Sequence, residues 1–405
     1  MAFDGLLTRS MTNELQKLVT GRITKIHQPN ALEIMLQIRA NGANYKLLVS
    51  IHPSYARMHI TEQAVDNPAE PPMFCMLLRK HLEGGFIHDI SAQNGERIIE
   101  MTIESKNEIG DPVTRKLIVE IMGRHSNCIL VDASNLRILD SLKHLPPSVN
   151  SYRTVLPGQP YIAPPAQNKV DPFTVSTEDV QAFFAEPREP KEVVAHFAGF
   201  SPLHANELLY RLNGTNNADI FTSFMTDIEN AAQPTYKENG KVAFSPVALE
   251  HLDGQETTYK TLGELLDRVF FARAERDRVK QQAGDLERWL TNEIDKLKLK
   301  LKKLDKDYER ASKLDEFQLY GELLMANVYQ FTKGVAHVTV ENYYTGEQVT
   351  IPVSPRKTPI ENAQSYYTKY NKAKNALVMI TEQKQKSEEE IAYFEMLAQQ
   401  VQQAA

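Results

Sequence analysis

Eight apolar residues, Val279, Ala283, Leu286, Leu290, Ile294, Leu297, Leu301 and Leu304, recur at spacings of 4-3-4-4-3-4-3. Alternating threes and fours draw one apolar stripe along a helix, and a lone helix cannot bury it, so a second helix must lie alongside. The doubled four is a stutter that relaxes the supercoil locally. The stretch NALVMITEQKQKSEEEIAYFEMLAQQV supplies the returning arm, with Leu377, Ile380, Ile391, Phe394 and Leu397 as its stripe. Between the arms, residues 315–372 predict a helix over Phe317–Val328. AHVTVENYYTGEQVTIPVSP then alternates on both sides of Thr345-Gly346, a two-residue turn. Residues 262–405 therefore predict an antiparallel coiled coil with a small α+β tip. A compact knob on a lever suits a protein that reaches across a large partner. The lysine-rich KLKLKLKKLDK (Lys296–Lys306) reads as a solvated face of the coil.

The first 172 residues have a different period. A helix over Leu6–Val19 precedes strand-like runs at Arg22–His27, Ala31–Arg39 and Tyr45–Ile51, with Asn41-Gly42 marking a hairpin. A helix over Pro72–His81, closed by Gly84-Gly85, leads into runs at Phe86–Ile90, Arg97–Glu104, Val113–Met122, Asn127–Val131 and Arg137–Ser141. Sequential hairpins with few helices predict an antiparallel sheet, hence an α+β domain. The Pro-rich HLPPSVNSYRTVLPGQPYIAPP forbids regular structure and sets the first domain boundary. Residues 173–261 read as mostly helical. Within them HFAGFSPLHANELLYRL ends one helix at Gly199 and opens the next at Ser201-Pro202. That pattern fits an ordinary capped helical hairpin, or a helix-hairpin-helix whose amides around Gly199 and Ser201 hold a phosphate.

Charge divides along the chain. Residues 1–150 hold sixteen Lys+Arg against sixteen Asp+Glu, residues 151–260 eight against fourteen, and residues 261–405 twenty-two of each. The net charge of −6 thus belongs to the middle segment, and the flanks are free to form basic surfaces for a polyanion. Asp4 and Arg9 fall where a signal peptide needs its apolar stretch, and no apolar run is long enough to span a bilayer. Two cysteines, Cys75 and Cys128, are too few for a disulfide framework or a zinc set. The expected setting is the cytoplasm, with no membrane partner and no cofactor or metal.

Chemical motifs are missing. The chain has no phosphate-cradling Gly-rich loop ending in Lys-Ser/Thr, no G-x-S-x-G and no H-E-x-x-H, so it is expected not to be an enzyme. One interruption stands out in EIMGRHSNCILVD. A turn needs the Gly or Asn of Gly123-Arg124-His125-Ser126-Asn127, but it needs neither Arg124 nor His125. Those two are either solvated loop residues or ligands for something anionic.

FDGLLTRSMTNEL, EIMGRHSN, DSLKHLPPSVNSYRTVLPGQPY, YGELLMANVY, NYYTGEQVTIPVSP and TPIENAQSYYTKYNKAKNA resemble the NFACT family, whose members have also been labelled fibronectin-binding protein A-like. The resemblance runs along the whole chain. It implies an NFACT-N domain (residues 1–172), a helix-hairpin-helix domain (173–261) and a middle coiled coil (262–405, tip 315–372). The family's C-terminal NFACT-R domain is not represented, and LAQQVQQAA still reads as helix, as expected of a chain shortened at that end. The implied function is ribosome-associated quality control. Such a factor binds a large (50S) ribosomal subunit blocked by peptidyl-tRNA and recruits alanyl-tRNA, so that alanines extend the stalled chain without a template and mark it for degradation. The ribosome makes the bonds. The family's tRNA-recruiting positions fall on Asp4 and on Glu96 and Arg97 of NGERII, where Glu stands in place of the family's Asp. Arg124 and His125 lie in a second family motif beside that pair.

NFACT-N also resembles the formamidopyrimidine-DNA glycosylases in fold, which raises a nucleic-acid enzyme as an alternative. Their N-terminal proline nucleophile and its following glutamate are absent from Met1-Ala2-Phe3. A fibronectin-binding surface adhesin is the other alternative, and it would require export and anchoring.

Overall fold

The computed structural model describes residues 3–92 and 95–404. Met1 and Ala2, which bear on the glycosylase comparison, Asn94 of NGERII and the final Ala405 lie outside the described residues. The chain forms two compact units, Met1–Glu275 and Arg276–Ala405.

The first unit opens with α1 (Gly5–Glu14), where Asp4 is the N-cap and its Oδ1 accepts the Leu7 amide at 2.8 Å. Leu7 and Met11, with Leu15 and Leu18 of the 3₁₀ turn that follows, point into the core of the sheet. Leu6, on the other side, belongs to a separate helical core. This helix is therefore buried between two packed layers and fixes one against the other.

The strands β1 (Arg22–Asn30), β2 (Glu33–Ala40), β3 (Ala43–Ser50) and β4 (Arg57–Thr61) precede α2 (Met73–Leu82). Then come β5 (Phe86–Ala92), β6 (Ile98–Lys106), β7 (Pro112–Glu120), β8 (Asn127–Asp132) and β9 (Ile138–Ser141). Among the described residues these form one nine-stranded sheet in the order β4-β3-β2-β1-β5-β6-β7-β8-β9, antiparallel at every join. Asn41 and Gly42 both have positive φ (50° and 77°), as the tight turn between β2 and β3 requires. The two halves meet at β1 and β5 through a single aligned pair, Arg22 and Phe86. The fold is α+β with an antiparallel N-terminal sheet.

The Pro-rich stretch after β9 forms no helix or strand, but it is tied down. Leu145 and Val155 exchange backbone hydrogen bonds at 2.9 Å, and the Tyr161 amide donates to Leu136 O. Val155 and Tyr161 pack on Ile98, Ile118 and Ile129 of the sheet. The segment is a strap across β6–β8.

Next, α3 (Thr177–Phe183), α4 (Pro190–His196), α5 (Pro202–Leu212) and α6 (Ala218–Glu229) close over Phe184, Phe197, Phe200, Phe221 and Phe224. The segment, expected to be mostly helical, then turns into a second sheet of β10 (Thr235–Asn239), β11 (Lys241–Ser245) and β12 (Gln255–Thr258). Its turn, Asn239-Gly240 with Gly240 at φ 69°, was a legible hairpin signal.

The long helix α7 (Leu262–Ala311) begins in the first unit, and it explains β4, which the alternation did not reveal. All five residues of β4 are buried, its polar ones included. Asp267 accepts from Thr61 Oγ1 at 2.6 Å and from the Glu62 amide at 3.0 Å, and it meets His59 Nε2 at 2.8 Å. Burial pushes the His59 imidazole below its usual 6.5, outweighing Asp267, so the folded ring resists protonation more than the unfolded one. As pH falls below 6.5, the unfolded chain takes up a proton at this position that the folded chain refuses. Stability therefore declines on acidification through this window. Thermal unfolding midpoints should fall with pH there, and the fall should be shallower in His59→Gln. Parallel pH profiles for the two proteins would contradict this assignment.

In the second unit, α7 runs antiparallel to α9 (Pro359–Ala404), with α8 (Leu314–Ala326), β13 (His337–Glu341) and β14 (Gln348–Pro352) between them. Lys384 Nζ pairs with Asp305 at 2.6 Å, and the Trp289 and Phe394 rings meet edge to face. The packed seam starts at Leu290, and Val279 and Leu286 stand about half exposed. The end of α9 offers mostly glutamines (QQVQQ) where that stripe would need apolar partners. The tip hairpin is wider than the two-residue turn expected, since Glu341 pairs with Gln348. Asn342 holds the six-residue loop, accepting from the Tyr344 and Gly346 amides. No helix among the described residues is long and apolar enough to cross a membrane.

Candidate nucleic-acid interface

Three glycines bring three backbones together in the first unit. A Cβ on Gly5 would lie 2.4 Å from both Gly199 Cα and Gly95 O, and one on Gly95 would lie 2.3 Å from Ala198 Cβ. Gly95 and Gly199 also have positive φ, 67° and 85°. The start of α1, the turn before β6 and the turn before α5 thus touch without side chains between them. The Leu6 amide donates to Gly199 O at 3.2 Å.

Asp4 secures this junction. Its Oδ1 caps α1, and its Oδ2 accepts Ser201 Oγ at 2.6 Å and bonds His204 Nδ1. The other nitrogen of His204 meets Ser245 Oγ on β11 at 2.8 Å. Burial alone would raise the Asp4 carboxyl. The His204 charge and hydrogen bond, with the bonds from Ser201 and Leu7, outweigh it and hold the carboxyl below the usual range. Both oxygens are engaged, so Asp4 shapes the junction rather than presenting a free carboxylate.

Above the junction lies a cleft of about 610 Å³, lined by Asp4, Glu96, Arg97, Lys169, Gly199 and Ser201 among others. Beyond a ridge of Met122, Pro164 and Pro165 is a second cleft of about 390 Å³. Its walls carry Arg124, His125, Lys143 and Tyr152, and Arg97 borders both clefts. Among the described residues, no aspartate or glutamate lines the second cleft. Arg97 is half-buried as a residue, and no side-chain hydrogen bond or ion pair holds its guanidinium among the described residues.

The local chemistry of GRHSN accounts for the interrupted hairpin. Gly123 takes φ 57°, and Ser126 Oγ accepts the Met122 amide while donating to Gly123 O at 2.7 Å. Asn127 bonds Lys143 O through its amide nitrogen and accepts the Cys128 and Lys143 amides. Ser126 and Asn127 are buried scaffold. Arg124 and His125 are left exposed on a 3₁₀ turn, with Arg124 Nε donating to His125 Nε2 at 3.2 Å. Lys143 Nζ donates to Arg124 O at 3.3 Å, and partial burial pushes its ammonium pKa down.

A buried ion pair holds the strap that carries Tyr152, Pro164 and Pro165. Both Arg153 Nη atoms reach the Glu120 carboxylate, at 2.7 and 2.5 Å, and Tyr161 OH adds a bond at 2.8 Å. Glu120 is fully buried. Burial and the adjacent carboxylate push the Tyr161 phenol up, so it stays a donor.

All seven residues picked from the sequence, Asp4, Glu96, Arg97, Arg124, His125, Gly199 and Ser201, border one or the other of these linked clefts. Sequence reasoning missed Lys143, Tyr152 and the Glu120–Arg153 pair. Glu120 had a signal: strand alternation puts it on the face of Ile118, an apolar face where a carboxylate requires a partner.

A family model described as NFACT N-terminal and middle domains matches residues 4–405. The Rqc2 homolog RqcH of Bacillus subtilis is 51% identical over 415 residues, covering 100% of this chain and 73% of that protein. The Rqc2 homolog RqcH of Streptococcus pneumoniae is 39% identical over 397 residues, covering 98% of this chain and 70% of that protein. Among solved structures, the N-terminal part of the fibronectin/fibrinogen-binding protein from Streptococcus suis matches with a TM-score of 0.61 at 37% identity. It covers 67% of this chain and 100% of its own. The fibrinogen binding protein from Staphylococcus aureus matches with a TM-score of 0.57 at 38% identity, covering 67% and 99%. From residue 4 to residue 405, the chain belongs to the NFACT family.

Proposed function

We propose that this chain is a cytoplasmic ribosome-associated quality control factor that binds large ribosomal subunits obstructed by peptidyl-tRNA and recruits alanyl-tRNA to them. Alanines are then added to the stalled chain without a template, with the ribosome making the bonds and this protein acting as a non-catalytic tRNA carrier. The kinship with RqcH proteins supports the pathway. The observation that carries the tRNA site is the pair of clefts sharing Arg97, the second with no carboxylate among its described lining residues.

In this reading Arg97 and Arg124 meet phosphate oxygens, which their planar forks suit. His125 contacts a phosphate or a base edge, and Glu96 accepts from a base or ribose. Asp4 acts as a positioning residue, and Gly199 and Ser201 form the opposite wall, where backbone amides are the phosphate donors because Asp4 holds the Ser201 hydroxyl. Sequencing the tRNA that co-sediments with the protein on large subunits tests the reading. Enrichment of alanine tRNA supports it, and recovery of subunits without tRNA overturns it.

The tip serves docking. Deleting residues 315–372 and closing the arms with a short turn should leave the first unit folded while weakening co-sedimentation with large subunits. Unchanged sedimentation would assign docking to another surface.

A second reading follows from the names of the structural neighbours, which describe fibronectin or fibrinogen binding. Surface binding of fibronectin by the purified chain, unaffected by Arg97→Ala, would favour it.

A further inference from the structure

The coiled coil is divided by charge. Residues 296–313, the end of α7 and the turn after it, and residues 369–386 of α9 together carry thirteen Lys or Arg against four Asp or Glu. Residues 276–295 and 387–404 carry four against nine. Because the arms are antiparallel, with Asp305 on Lys384 and Trp289 on Phe394, each zone is one continuous length of the same rod. At ~1.5 Å per residue the basic zone is roughly 27 Å long.

Folding does not ask for this arrangement. Lys296 and Lys300, Lys298 and Lys302, and Lys302 and Lys306 are like charges at i,i+4, and each such pair weakens the helix. Lys300, Lys302, Lys303 and Lys306 are exposed. Within the zone, carboxylates pair with Lys296, Lys298 and Lys384 among the described residues. At ~100° per residue, the six lysines of Lys296–Lys306 flank or oppose the stripe of Leu297, Leu301 and Leu304. A local choice that works against the fold points to a partner that compensates it.

We propose that this basic zone grips the phosphate backbone of structured RNA without reading its sequence, as a contact separate from the clefts at Arg97. The inference rests on the reading that the chain works on a ribosomal subunit. Twelve of the thirteen cations are lysines, point charges that suit phosphate contact without the bidentate geometry of specific recognition. A membrane-surface helix would instead pair one basic face with one apolar face, whereas here Lys296, Lys298, Lys300, Lys302, Lys303 and Lys306 spread around α7 on every side but its seam, and the exposed Leu299 stands among them rather than on an apolar face. The acidic zone next to it repels the same backbone and limits the contact to one segment.

The test is a quadruple variant of the 405-residue chain, Lys298→Gln, Lys300→Gln, Lys302→Gln and Lys303→Gln, titrated with an RNA hairpin of arbitrary sequence across a salt series. Glutamine and lysine have similar helix propensities, and circular dichroism confirms the fold. The slope of log K against log salt should drop by about one unit for each lysine–phosphate pair removed, and the matching Lys→Arg quadruple should restore it. Unchanged affinity and slope would overturn the proposal. So would failure of the arginine variant to restore binding, or a loss confined to polyglutamate or anionic vesicles. Arg97→Ala, assayed for tRNA capture on subunits, separates the two sites. If it captures tRNA normally while the glutamine quadruple loses RNA, the tRNA reading fails and the coil contact stands.

Discussion

Arg97→Ala should weaken tRNA capture on large-subunit complexes by about ten- to a hundredfold, the range expected for removing a hydrogen-bonded charged group from an interface. The effect should be large because Arg97 borders both clefts, so neither keeps its full basic wall without it. Its guanidinium has no internal partner among the described residues, so its removal should leave folding unchanged. Adding Arg124→Ala should reduce the salt slope of tRNA binding by about one further unit if that side chain holds a phosphate. Arg97→Lys should recover only part of the loss, since an ammonium cannot make the paired contact. Subunit binding should persist in each variant. Full tRNA capture by Arg97→Ala would remove the cleft from the mechanism.

Glu120→Gln should cost about 3–5 kcal/mol of stability, the range for breaking a buried ion pair and leaving one charge uncompensated. The uncompensated charge here is Arg153 of the strap itself, 7% exposed. The strap bears Tyr152, Pro164 and Pro165, so its release should also impair tRNA capture although Glu120 lines neither cleft. Replacing Glu120 and Arg153 together with apolar residues of similar volume should restore much of the stability. Chemical denaturation measures the first effect and subunit-bound tRNA the second. A Glu120→Gln protein of wild-type stability would show that the pair does not hold the strap.

The elements that could be read from the sequence were those whose period matches their burial. The coil stripe, the hairpin at Asn41-Gly42 and the strands around EIMGRHSN each follow one clear rule. Strand β4 was hidden because its inward polar residues, His59 and Thr61, are satisfied by Asp267, more than two hundred positions away. The sheet of β10–β12 was hidden by the helical, acidic character of the segment around it, although Asn239-Gly240 announced its turn. The site was legible as far as its exposed cations. Arg124 stood out because the turn had no need of it, whereas Arg97 and Asp4 came from family likeness alone. Lys143 and Tyr152 had no local signal: the pairing of β8 with β9 and the bonds of Asn127 bring Lys143 beside Arg124, and the strap's return across the sheet brings Tyr152 to the same cleft. The role of Asp4 also depends on distance in sequence, since its partners Ser201 and His204 lie in α5 and the turn before it.

The most direct test is to crosslink tRNA to the protein on large subunits and map the attached peptides. Crosslinks should concentrate in residues 95–97, 122–127 and 143–153, the borders of the two clefts, and Arg97→Ala should reduce them. Crosslinks confined to α2 or to the coiled coil, with none at these segments, would contradict the assignment of the tRNA site.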